Sequence, residues 1–283
     1  MKSSYKAAAA AAGLIVALVP MQVNAADVGG GSTSAVSGPN GKIEFSGGFG
    51  EIDSFDDDAV FRGGAAFSIP LGELFGLQAD IAAVDQFDDT TVGGTLHLFM
   101  RDPSTYLLGV AGGAGFGDDA NLFYVGPEAE FYMGNVSLEL WGGYLNVDED
   151  GSSSDDEMFG FADIAFYATD DFRIALGASS IANFESARLS VEWQMGEIGM
   201  PLSLNADLRA GEDDYLSGTV GFTFYFGGED KSLIRRHRED DPRIRTLDLF
   251  RAAGNAPDIG QCPVGEQDVD PGPGVNCQPI PPG

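Results

Sequence analysis

The sequence predicts an all-β protein: a transmembrane, antiparallel, up-and-down β-barrel of about twelve strands over residues 42–226, followed by a periplasmic, largely disordered C-terminal tail. Three observations lead there. Side chains alternate between faces, as a wall with lipid on one side and a polar lumen on the other requires. In residues 201–210 Leu202, Leu204, Ala206 and Leu208 share one face, and Ser203, Asn205, Asp207 and Arg209 share the other. Basic residues within the predicted barrel (Lys42, Arg62, Arg101, Arg173, Arg188 and Arg209) all fall on the polar parity of their strands. A soluble β-sandwich would scatter them over its wetted face, whereas a lipid-facing Arg costs several kcal/mol. Connections also alternate between short turns and acidic loops, the asymmetry of an outer-membrane barrel.

Residues 1–25 read as a secretory signal peptide: Lys2 and Lys6, an apolar run from Ala7 to Val19, then small residues up to Ala25. Residues 26–41, rich in Gly and Ser, read as a periplasmic linker. The net charge of −29 becomes two units more negative once Lys2 and Lys6 are removed, which excludes nucleic acid as a partner.

Strands are predicted near residues 42–50, 59–69, 75–84, 91–101, 104–115, 121–133, 135–146, 157–168, 171–180, 185–195, 200–210 and 215–226. Short turns at Pro70 to Gly72, Asp102-Pro103, Gly134-Asn135, Thr169-Asp170 and Gly196 to Pro201 are placed at the periplasmic end. Acidic loops are placed outside, and both chain termini in the periplasm. Aromatic girdles are expected from Tyr106, Phe131, Phe172, Trp193 and Phe226 below and from Phe61, Phe116, Phe123, Phe159 and Phe184 above.

In the last strand Thr219, Gly221, Phe224 and Phe226 carry a pattern of polar residue, glycine and alternating aromatics. This resembles the β-signal of bacterial outer-membrane proteins, and residues 42–226 are similar in organisation to the porin-like outer-membrane barrel class. The resemblance implies recognition by the barrel-assembly machinery. It differs in one respect, since such proteins usually end at the terminal Phe and here a tail of residues 227–283 follows. One short helix is expected from Ser232 to about Arg238, halted near Pro242. Arg235, Arg236, Arg238, Arg243 and Arg245 are candidates for anionic lipid or a periplasmic partner, against the alternative of a solvated mixed-charge segment. Cys262 and Cys277 are expected to pair in an oxidising compartment.

Parity places Lys42, Arg62, Arg101, Arg173, Arg188 and Arg209 in the lumen with Glu44, Asp80, Glu128, Glu130, Glu139, Asp163, Glu192 and Asp207. These charges either pair across the interior and fill it or line a narrow pore. His97 is expected to be a satisfied lumen histidine near Asp80, because a hydrolytic arrangement needs a serine on a neighbouring strand. Asn146, Asp148, Asp150, Ser152, Ser154 and Glu157 match the spacing of a Ca²⁺ loop around Gly151, with a plain acidic loop as the alternative. No other cofactor is expected. The function expected is a narrow, cation-preferring diffusion channel for small solutes, and not an enzyme. The alternatives are a closed structural barrel that bridges lipopolysaccharide through divalent cations and, more remotely, an outer-membrane hydrolase. Lipid and lipopolysaccharide are the expected surroundings.

Overall fold

The computed structural model describes residues 34–52, 55–86, 89–117, 120–149, 155–182, 184–195, 201–212, 215–227, 231–240, 242–253, 266–268 and 277–279. Twelve strands form a closed antiparallel barrel in nearest-neighbour order. They are β1 (Asn40–Ile52), β2 (Phe55–Leu71), β3 (Phe75–Gln86), β4 (Asp89–Asp102), β5 (Tyr106–Phe116), β6 (Ala120–Met133), β7 (Val136–Glu149), β8 (Asp155–Thr169), β9 (Phe172–Ile181), β10 (Phe184–Gln194), β11 (Leu202–Gly211) and β12 (Leu216–Gly227). Every predicted strand is present, with most ends within two residues of the predicted ones and β2 beginning four residues earlier. β12 closes the barrel on β1, with Asn40 opposite Gly227 and Glu51 opposite Leu216. Closure removes the unpaired edges that an open sheet would expose to lipid.

The two faces differ as lipid demands. Outward side chains are large and apolar, among them Ile81, Leu96, Met158 and Val220, each more than 60% exposed. A continuous belt of this kind is far larger than the apolar patches soluble monomers carry. Inward side chains are polar and buried, from Ser68 and Gln78 to Arg209 and Thr223. Phe61, Phe116 and Phe123 stand outward as expected of the upper girdle, but Phe159 and Phe184 do not. Both lie on the inward parity of their strands and are buried, so they belong to the interior.

The segment after the barrel is the main departure from the sequence reading. Gly227 adopts φ +73°, and a Cβ there would stand 2.6 Å from the Pro39 carbonyl, so the sharp exit from β12 depends on glycine. Beyond it helix α1 (Leu233–Glu239) forms where one helix was predicted, and a second helix, α2 (Arg245–Ala253), follows. Neither is solvated. Leu233, Arg236, Arg238, Arg245, Leu247 and Leu249 are all at most 5% exposed, packed inside the barrel. The reason is complementarity: arginines and apolar residues of the tail meet carboxylates and aromatics of the wall. Residues 34–39 also depart from a free linker, since Ala35 and Val36 are buried and the Ser37 amide donates to the Glu239 carbonyl at 2.9 Å. Further along, β13 (Glu266–Asp268) pairs antiparallel with β14 (Cys277–Pro279). The expected signal peptide, Cys262 and the side chain of Cys277 lie outside the described residues.

Candidate functional site

The site is the lumen, and the tail rises through it from the short-turn end towards the loop end. At the base, the Ile234 amide donates to the Asp170 carbonyl at 3.0 Å and the Leu233 amide to Asp171 Oδ1 at 3.0 Å, both in the β8–β9 turn. Lys231 Nζ contacts Asp240 Oδ1 at 2.6 Å and the Ser37 hydroxyl at 2.7 Å. Arg101, next to last in β4, donates from Nε to the Ala35 carbonyl and from Nη2 to the Asp240 carbonyl, each at 2.6 Å. α1 then lies against wall aromatics. Arg236 stacks over Tyr225 at 5.2 Å and Arg238 over Tyr132 at 4.9 Å, a placement that partly compensates guanidinium groups removed from water. His237 sits between the hydroxyls of Tyr167 and Tyr225, with Glu192 at 3.4 Å.

At mid-height the wall presents carboxylates and the tail answers them. Arg243 reaches Glu139 and Asp163 at 3.2 Å each and Asp248 of α2 at 2.6 Å. Arg173 holds Glu139 at 2.7 Å, and Arg188 bridges Asp163 on the wall to Asp248 on the plug. Lys42 donates to the Pro242 carbonyl at 2.9 Å, and the Arg245 amide donates to Asp80 Oδ2 at 2.9 Å. The Arg245 guanidinium, fully buried, stands 3.8 Å from both Glu128 and Glu130 and 5.9 Å over the Trp141 ring. His97 spans the same carboxylates: Nε2 is 3.0 Å from Asp80 and Nδ1 is 3.1 Å from Glu128. The expected contact with Asp80 is present. Both ring nitrogens are therefore engaged by carboxylates, an arrangement that fixes Asp80 beneath α2.

Near the loop end the contacts become apolar. Leu247, Leu249 and Phe250 join one cluster with Trp141, Phe159 and Phe161, in which Trp141 stacks on Phe161 at 5.3 Å. Phe250 presses on Gly93 and Gly115 so closely that a Cβ at either would come within 2.7 Å of its ring, so these two glycines create the seat for α2. A cavity of about 100 Å³ lies between tail and wall, where Glu44, Glu192, Asn205 and Asp207 face Arg243 and His237.

Among solved structures, the KdgM porin in complex with disordered oligogalacturonate is similar with a TM-score of 0.51 at 9% identity, covering 66% of this chain and 99% of that one. In fold this chain is similar to the porin-like outer-membrane β-barrels. The NanC porin (TM-score 0.45, 10% identity, 64% of this chain and 98% of that one) and an outer-membrane channel from Pseudomonas putida F1 (0.45, 11%, 71% and 100%) are also similar. No protein-family model and no curated protein matches the chain.

The porin-like barrel keeps every predicted lumen charge inside. Lys42, Arg62, Asp80, Arg101, Glu128, Glu130, Glu139, Asp163, Arg173, Arg188 and Arg209 are buried, and Glu44, Glu192 and Asp207 line the cavity. Thr219 and Gly221 face inward and against β1, and Phe224 and Phe226 face lipid, as the closing-strand pattern expects. Of the predicted Ca²⁺ ligands the structure describes Asn146, Asp148 and Glu157. Asn146 lies on β7, opposite Asp156 of β8, and donates to the Asp156 carboxylate at 2.9 Å on the outer face, where Asp148 is also exposed. Glu157, one residue from Asp156, takes the opposite face by strand alternation, so these ligands diverge instead of converging. Asp150, Ser152 and Ser154 lie outside the described residues. The sequence reading missed the tail's part in the lumen. The available signal was a run of inward carboxylates on β3 to β8, Asp80, Glu128, Glu130, Glu139 and Asp163, that outnumber the inward His97 and Arg101 of the same strands.

Proposed function

We propose that the barrel is a narrow, cation-preferring diffusion channel of the outer membrane for small solutes, held shut at rest by its own C-terminal segment. The observation that carries this reading is that the filling is supplied by a segment outside the wall, attached through Gly227 and held by ion pairs. Small barrels are filled by their wall side chains, whereas wider ones are occluded by a separate segment. Buried ion pairs roughly balance their desolvation cost, so a plug held by them is displaced more easily than an apolar core of equal size. With the plug out, Asp80, Glu128, Glu130, Glu139 and Asp163 would face water along one wall and attract cations. Acidic loops at the mouth add to that field, which weakens as salt shortens the Debye length. Thr219, Gly221, Phe224 and Phe226 are the residues the assembly machinery would read, internally placed ahead of the tail.

The test is planar-bilayer conductance of the full chain and of a chain ending at Gly228, with reversal potentials in a salt gradient. The full chain should be silent or nearly so, and the shortened barrel should conduct with cation preference. A shortened barrel that folds and stays silent would sink the channel. It would favour the second reading, a closed structural barrel whose acidic loops bridge lipopolysaccharide through divalent cations. The observation behind that alternative is that the tail is engaged at the base, at mid-height and at the top of the lumen.

A further inference from the structure

The two segments that flank the barrel in the chain meet at its short-turn mouth. Asn40 opens β1 directly opposite Gly227, the last residue of β12, so the residues before β1 and the tail after β12 leave the wall side by side. The former do not turn away from the barrel. The Ala35 amide donates to the Glu73 carbonyl between β2 and β3 at 2.8 Å, and Val36 is buried in one cluster with Phe99 of β4, Leu107 of β5 and Tyr132 of β6. A Cβ at Gly76 of β3 would stand 2.6 Å from the Val36 side chain, so the wall leaves the space that Val36 fills. Residues 34–39 are thus a strap laid across the mouth. It holds the tail at the end of α1: the Ser37 amide donates to the Glu239 carbonyl at 2.9 Å, its hydroxyl donates to Asp240 Oδ1 at 2.5 Å, and Lys231 Nζ donates to that hydroxyl at 2.7 Å. Arg101 ties strap and tail together from the wall, through the carbonyls of Ala35 and Asp240. Arg101, Lys231 and Asp240 are all buried, where a charged group that loses its partner is left uncompensated.

We infer that residues 34–39 are a latch on the plug: α1 stays seated while the strap lies across the mouth, and the tail leaves its place only after the strap releases Glu239 and Asp240. Control of the lumen then lies with the segment ahead of β1, at the short-turn end, and not with the acidic loops at the other. The inference rests on the reading of the barrel as a channel closed by its own tail.

Deletion of residues 34–37 from the full chain keeps β1 from Asn40 onward and tests the latch in two ways. In detergent, trypsin should cut the variant after the buried Arg236, Arg238 and Arg245 faster than the parent. Cleavage follows the undocked population, and losing hydrogen bonds to charged groups raises that population about tenfold or more. Ser37→Ala, which removes only the hydroxyl and leaves the wall untouched, should move the rate the same way by a smaller factor. Cleavage at the parent rate in both variants would overturn the latch. In planar bilayers the deletion should give the full chain openings that the parent lacks, while the barrel ending at Gly228 should conduct alike with and without residues 34–37. Loss of heat-modifiability or conductance in the shortened barrel on deletion would also overturn the latch, because the strap would then support the wall and not the plug. A shortened barrel that folds but conducts in neither version would overturn the channel reading instead, and the cleavage rates would still decide whether the strap holds the tail.

Discussion

Glu139 illustrates what individual residues contribute, because it holds Arg173 of the wall and Arg243 of the plug at once. Glu139→Gln would leave the buried Arg173 and the half-buried Arg243 short of a charge, and losing one partner of a buried pair such as Arg173–Glu139 costs about 3–5 kcal/mol. Part of that loss falls on plug docking, so bilayer recordings of the variant should show openings that the parent lacks. An unchanged, silent record would mean that Arg243 does not hold the plug. The outer face gives a second prediction. Leu204→Arg puts a charge in lipid near mid-strand at a cost of about 2–4 kcal/mol, while Asn205→Arg, its neighbour on the cavity side, should cost much less. Denaturant unfolding in detergent or lipid compares the two, and equal losses would contradict the inward–outward assignment. These parities could be read from sequence because a strand's period of two leaves a charged residue only one tolerable face. The partners of those charges could not, since pairs such as Arg188 with Asp248 join residues whose proximity depends on where the tail goes.

At the level of elements, all twelve strands were legible because alternation and turn residues are local signals. α1 was legible too, from its position before Pro242. α2 was not. RTLDLFRAA carries too few apolar residues to form a stable isolated helix, and its stability comes from Trp141, Phe159 and Phe161, contributed by distant strands. The same dependence explains why Phe159 was assigned to the girdle: an inward aromatic makes sense only once an apolar occupant is present. The connection from β12 to α1 provides a test. Gly227→Val requires a β-branched residue at φ +73° and within 2.6 Å of the Pro39 carbonyl, a strain of about 1–3 kcal/mol. The wall should still close, but the tail should dock poorly, seen as faster proteolysis between residues 231 and 253 at unchanged heat-modifiability. Equal proteolysis in variant and parent would show that the turn at Gly227 does not steer the tail.

For the molecule as a whole, a closed wall with an apolar exterior and a polar, occupied interior accounts for the composition. Most of the 40 glycines and the alternating strands serve the wall, while Arg243 and Arg245 of the tail serve the carboxylates inside it. Circular dichroism in detergent should be dominated by β structure, with a heat-modifiable band on gels. Predominantly helical spectra would contradict the architecture.

The two tryptophans occupy opposite sides of that wall: Trp193 is half exposed to lipid, and Trp141 is 2% exposed between Phe161 and Arg245. They are therefore two clocks for one assembly reaction. Trp193 should change its fluorescence when β10 enters the bilayer, whereas Trp141 should settle only when α2 arrives. Because the plug follows β12 in the chain, synthesis supplies it last. Single-tryptophan versions refolded into vesicles should thus give two separable relaxations, the Trp193 phase preceding the Trp141 phase. A chain ending at Gly228 should keep the first and lose the second.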